Sequence, residues 1–141
     1  MMKFSNVFLE YTKFMKENSK YNLDITKDYI VGTTHFPTIE FKYEDSANTK
    51  NATHGMIEYY DKEYFSITIY AQDFGNISKN IISEELIELT HIFMGKILGL
   101  TRTSCKPIPN LDTTVLRTLM KYECYYGNVY GNIIRRWNIY D

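Results

Sequence analysis

The sequence predicts an α+β domain, a mainly antiparallel sheet with long hairpins packed against one long central helix, with a second helix at the N-terminus. Three observations predict it. Apolar residues near the N-terminus and over residues 80–98 recur at steps of three and four, the period of a helix with one buried face. In the stretches between and after, apolar and polar residues alternate, as in strands with one face on a core. No linker, repeat or low-complexity block divides the chain, so its 141 residues form a single α+β domain, 1–141.

The elements follow in order. Phe4, Val7, Phe8, Tyr11, Phe14 and Met15 make the stripe of the first helix, with Lys3, Glu10, Lys13 and Lys16 between them. Ser5 or Asn6 caps it, and it fades near Asn18 and Ser19. Residues 20–34 have no clean period and read as a connection, with a short strand around 28–31. In residues 38–43, Ile39, Phe41 and Tyr43 share one face and Thr38, Glu40 and Lys42 the other. Pro37 stands at the strand start, where a missing N–H matters least. Residues 44–55, EDSANTKNATHG, are almost wholly polar and read as a long exposed loop. Residues 56–60 and 62–71 form one long strand or two broken near Asp61. There Phe65, Ile67, Ile69 and Ala71 alternate with Tyr64, Ser66, Thr68 and Tyr70.

Residues 74–79 turn the chain, and Asn76 or Ser78 caps the next helix. Over residues 80–98 the stripe is Ile82, Leu86, Leu89, Phe93 and Ile97. Glu84 and Glu85 fall early and Lys96 falls late, as the helix dipole prefers, and Gly99 is a natural stop. A short strand over 100–105 is stopped by Pro107 and Pro109. The long strand 114–126 places Leu116, Met120, Tyr122 and Cys124 on one face and Arg117, Lys121 and Glu123, with Val115 and Leu119, on the other. Gly127-Asn128, or the whole GNVYGN segment, turns the chain into a closing strand over 132–139.

Composition narrows the function classes. The formal net charge is −1, so no bulk electrostatic drive pulls the chain to nucleic acid or an anionic membrane. Mean hydropathy is −0.35, and no run approaches the roughly 18–20 apolar residues of a membrane helix. The first residues lack the unbroken apolar stretch of a secretory signal. Tyr occurs thirteen times and Ala three, a skew that AT-rich coding explains and that also suits half-buried sheets and interfaces. Cys105 and Cys124 read as reduced packing residues, since no CxxC pair is present.

No constellation assembles an active site. Glu88 and His91 share a helix face, but one such pair does not make a metal centre. Asp73-Phe74-Gly75 matches a kinase triplet without the rest of that machinery. His35, His54 and His91 are scattered, and no nucleophile lies near one in sequence. Arg135, Arg136, Trp137 and Tyr140 cluster at the end as an exposed strand, a protein interface or a nucleic-acid contact. Residue chemistry alone therefore points to a structural or binding protein.

The order of segments resembles the tail terminator (tail completion) proteins of tailed bacteriophages, in the form found in phages of Gram-positive hosts. The resemblance covers residues 36–136: a Pro-led strand, a polar Asn-rich loop, a strand ending in Ile69-Tyr70-Ala71, and a Glu-Leu-rich helix. Arg102-Thr103, a Pro-Asn turn, a strand holding Lys121-Tyr122-Glu123, and Ile133-Ile134-Arg135-Arg136 follow. It implies a subunit of a six-membered ring that caps the tail tube, stops its growth and offers a docking surface to the filled head. The implied partners are other copies of the chain, the tail tube protein, a neck or connector protein and, in a contractile tail, the sheath protein. Genome DNA passes through the lumen without specific binding, and no membrane is involved. The protein is assembled in the host bacterial cytoplasm and resides in the virion. Interface residues under this reading are Arg117, Lys121 and Glu123 on a strand face, Asn48, Asn51 and His54 in the polar loop, and Arg135, Arg136 and Trp137 at the end. The alternatives are a neck adaptor or head-completion protein, or a small phage nucleic-acid-binding or inhibitor protein.

Overall fold

The computed structural model describes residues 4–27, 35–48, 60–127 and 132–134. The elements are α1 (Phe4–Asn18), β1 (Asp24–Thr26), β2 (Thr38–Asn48), β3 (Tyr60–Gln72), α2 (Lys79–His91), a π-helical segment (Ile92–Ile97), β4 (Thr101–Ile108), β5 (Val115–Gly127) and β6 (Asn132–Ile134). The fold is α+β, as the sequence predicts. The strands lie in the order β1-β2-β3-β5-β4, with β6 also on β5. All pairings are antiparallel except β1 with β2.

Both helices pack on one face of this sheet. In α1, Val7, Tyr11 and Met15 recur every fourth residue and are buried. In the strands the residues facing them are Ile39 and Phe41, then Phe65, Ile67, Ile69 and Ala71, then Met120, Tyr122 and Cys124. Aromatic rings link the layers: Tyr11 meets Phe41 at 5.1 Å and Phe93 at 5.7 Å, and Phe41 meets Phe65 at 5.8 Å. Each large side chain buried here contributes about 1.5–3 kcal/mol. Two polar pairs are sunk in the same layer, each satisfied: Tyr11 with Thr90 at 2.9 Å, and Ser83 with Thr118 at 3.2 Å.

Caps and ties set the helix ends. The Asn18 side chain donates to the Phe14 carbonyl at 2.8 Å and closes α1. Ser78, rather than Asn76, is the N-cap of α2, its hydroxyl accepting from the Ile81 N–H. The first turn of α2 holds no acid. Glu85 instead accepts from the Tyr21 hydroxyl at 2.7 Å and pairs with Lys20 at 3.3 Å, tying the end of α1 to α2. Tyr21 above all, then Lys20, holds the Glu85 carboxyl below the usual carboxylate range.

Four expectations are corrected, and the others stand as follows. In the connecting segment Asp24–Thr26 forms a strand parallel to β2; the expected strand at 28–31 lies outside the described residues. The polar run is not loop from residue 44: β2 continues to Asn48 past an irregularity at Glu44. Backbone ladder bonds form whatever the side chains, so polarity did not end the strand. On the partner strand, β3 runs through Asp61 without a break, the first of the two expected alternatives, and residues 56–59 lie outside the described residues. The helix over 80–98 is α-helical only to His91 and then π-helical. That widening turns Met94 into the core with Phe93 and leaves Ile97 47% exposed. β4 runs through Pro107 to Ile108, which an edge strand tolerates because one side of it needs no N–H. Finally, Cys105 is exposed on β4 and does not pack in the core, whereas Cys124 does. Gly99 does take a positive φ, 82°, just past the π-helical segment. Of the closing strand, 132–134 pairs with β5 and 135–139 lies outside the described residues.

The two thiols therefore differ in reactivity. Burial, then Glu63 and Glu123, push the Cys124 thiol up to about 12. Only the thiolate is nucleophilic, so an alkylating reagent should label one equivalent in the native protein and two after unfolding in guanidinium. Two equivalents labelled at native rates contradict this placement.

Candidate interaction surface

The strand face turned away from the helices is built in register. Along β5 the period of two places Val115, Arg117, Leu119, Lys121 and Glu123 on it. Arg117 stands opposite Tyr70, and Tyr70 opposite Thr38. The next row is Glu40, Thr68, Leu119 and Lys106. A third row is Lys42, Ser66, Lys121 and Ser104, and a fourth begins Tyr64, Glu123 and Thr101. Arg117 to Glu123 spans about 20 Å along the strand. No helix among the described residues covers this face.

Its chemistry is mixed charge on aromatic supports. The Arg117 guanidinium lies 5.5 Å from the centre of the Tyr70 ring. Its Nε is buried and makes no hydrogen bond. Lys62 pairs with Glu123 at 3.4 Å and lies 5.6 Å from the Tyr64 ring centre. An ion pair this open to water contributes about 0–1 kcal/mol, so its role is to hold geometry more than to stabilise. Ser66 donates to Glu44 at 2.6 Å. Beside these groups a groove of about 550 Å³ is lined by Glu44, Tyr64, Thr103, Lys121 and Glu123. Thr38, Glu40, Ser66, Thr68 and Tyr70 are buried, so the middle of this face is closed, while Lys106 and Lys121 on it are exposed.

Of the residues singled out from the sequence, Arg117, Lys121 and Glu123 do share this face. Asn48 ends β2 opposite Asp61, at the far end of the same sheet. Asn51, His54, Arg135, Arg136 and Trp137 lie outside the described residues. Sequence reasoning missed Lys62, Tyr64, Tyr70 and Glu44 as members. The alternation of Tyr64 with Phe65 was a signal, but the β3–β5 register that sets Tyr70 against Arg117 has none in one sequence.

The pair Glu88 and His91 separates. Glu88 lines a groove with residues 18–21 at the end of α1, while His91 bonds Tyr122. No group of three or more His, Cys, Asp and Glu among the described residues is placed to hold a metal. No described helix is long and apolar enough to cross a membrane. No protein-family model matches the chain, and no curated protein matches it.

Proposed function

We propose that this chain is a structural virion subunit of a tailed phage, a tail terminator. Copies close into a six-membered ring on the last ring of tube subunits and present a docking surface to the head or neck. The observation that supports it most is the one-sided sheet, with helices on one face and Arg117, Lys121, Glu123 and Lys62 beside Tyr64 and Tyr70 on the other. A ring subunit needs two different complementary surfaces, since its contacts are heterologous and close by rotation. Arg and Tyr are favoured anchor residues at such contacts. At the end where α2 begins, Lys79 donates to the Thr113 carbonyl at 3.1 Å and holds the β4–β5 loop. Phe74, Ile81 and Leu111 are exposed and supply apolar surface for stacking on the tube.

In this reading the paired arms of β2 with β3 and of β5 with β6 are the long hairpins that meet neighbours. α2 with its π-helical continuation is the central helix against which they pack. The sheath of a contractile tail touches the outside of the ring, and DNA crosses the lumen unbound. The chain carries no cofactor and catalyses nothing.

Sedimentation of the purified chain with and without tail tube protein tests this. A species near six copies, formed alone or on the tube, is expected, and it weakens as salt screens the charged face. A monomer indifferent to salt and to tube protein contradicts the reading.

A further inference from the structure

The outward side of α2 carries an unbalanced charge. Ile82, Ser83, Leu86 and Thr90 form the buried side of this helix. At about 100° per residue, Glu84 and Glu88 both lie roughly 160° around the axis from Leu86, on the side turned away from the sheet. Both are exposed. They stand at i and i+4, the spacing at which like charges oppose helix formation. Neither makes an ion pair among the described residues. Lys20 is held by Glu85, and Lys79 donates to the Thr113 carbonyl. On α1 the exposed charges Glu10, Lys13, Lys16 and Glu17 balance one another.

The opposite sign stands on the opposite side of the molecule. On the outer sheet face Lys106 of β4 lies against Leu119 of β5. Lys121, the next outward residue of β5, lies against Ser104. Both lysines are exposed and make no ion pair among the described residues. Carboxylates on the same face are engaged or closed off: Glu123 pairs with Lys62, Glu44 accepts from Ser66, and Glu40 is buried. The spacings agree. Glu84 and Glu88 are about 6 Å apart along the helix axis at 1.5 Å per residue. Lys106 and Lys121 stand in successive outward rows, about 7 Å apart along the strands.

We infer that the outward side of α2 of one copy seats on the β4–β5 half of the outer sheet face of the next, Glu84 and Glu88 pairing with Lys106 and Lys121. This contact rests on the six-membered ring proposed for the chain and supplies the second of the two surfaces that a heterologous contact requires. Because the helices lie on one face of the sheet only, the two surfaces point in opposite directions. Each contact then leaves one of them free on either partner, and copies add in one direction until rotation closes the ring. Two sheet faces set against each other would oppose lysine to lysine, and two α2 helices glutamate to glutamate, so like charges disfavour both.

The test exchanges the charges. One double variant is Glu84→Lys with Glu88→Lys, the other Lys106→Glu with Lys121→Glu. All four positions are exposed, and circular dichroism checks that each chain folds as the parent. Sedimentation velocity in low salt, alone and on tail tube protein, counts the copies. Each double variant by itself should lose the six-copy species, with assembly weakened about tenfold or more. An equimolar mixture of the two should regain it, alternating around the ring, and so should the chain that carries all four changes. Folded variants that assemble as well as the parent, or a mixture that does not recover, overturn the contact, while rings of the parent chain keep the ring reading. A parent chain that forms no ring alone or on the tube overturns both. A lysine variant that keeps its ring but no longer holds tube protein assigns the sheet face to the tube and overturns the contact between copies.

Discussion

Leu86→Asp is expected to abolish the cooperative fold. Leu86 is fully buried in the middle of α2, in the stripe that faces the sheet. Truncating such a side chain costs about 2–5 kcal/mol through lost transfer energy and the cavity left behind. A carboxylate at the same place adds several kcal/mol of desolvation without a cation to meet it. A domain of this size holds about 5–15 kcal/mol in all, so the sum reaches the whole of its stability. Phe93→Asp, at the ring contacts with Tyr11 and Phe14, should behave the same way. Leu9→Asp in α1 and Ile97→Asp after α2 are the controls, because both positions are exposed. Near-UV circular dichroism and thermal melting read the difference. Loss of the transition in the first pair with little change in the controls is the expected pattern. A folded Leu86→Asp protein means the core lies elsewhere.

The contrast between Leu86 and Ile97 also marks how far the sequence can be read. Apolar residues at steps of four and three marked both positions as one stripe, and the stripe was right wherever the backbone kept 3.6 residues per turn. The π-helical segment broke the period after His91 and moved Met94 inward. Gly95, which leaves room for the His91 ring, is visible in the sequence, but the stacking of that ring on Tyr122, far along the chain, is not. Strand alternation found the inward face of β3 and the outward face of β5 correctly for the same reason: a period of two survives any partner. Length and register did not survive so well. Residues 45–48 carry no apolar pattern but continue the ladder opposite residues 61–64. β1 is three residues long, too short for a period, and is fixed by its parallel partner. Pro107 reads as a strand stop until β4 is known to be an edge.

The candidate surface divides the same way. Arg117, Lys121 and Glu123 were legible as one face because they lie on one strand. Lys62 and Tyr70, which pair with Glu123 and Arg117, come from a strand more than forty residues earlier in the chain. Register between distant strands is set by the packed core and not by either segment alone.

The second large effect concerns assembly. Tube subunits that join head to tail leave the same free surface after every addition, so nothing in the contact itself ends growth. A terminator supplies a ring that fits that surface and does not repeat it. Removing this chain should then leave filled heads beside unattached tails whose lengths spread widely, with few or no joined particles. The measurement is the length distribution of tails in electron micrographs of a deletion lysate, compared with the parent phage. A broad distribution beside full heads is what the terminator account predicts. Tails of parental, uniform length contradict it and move the protein to the neck or adaptor role.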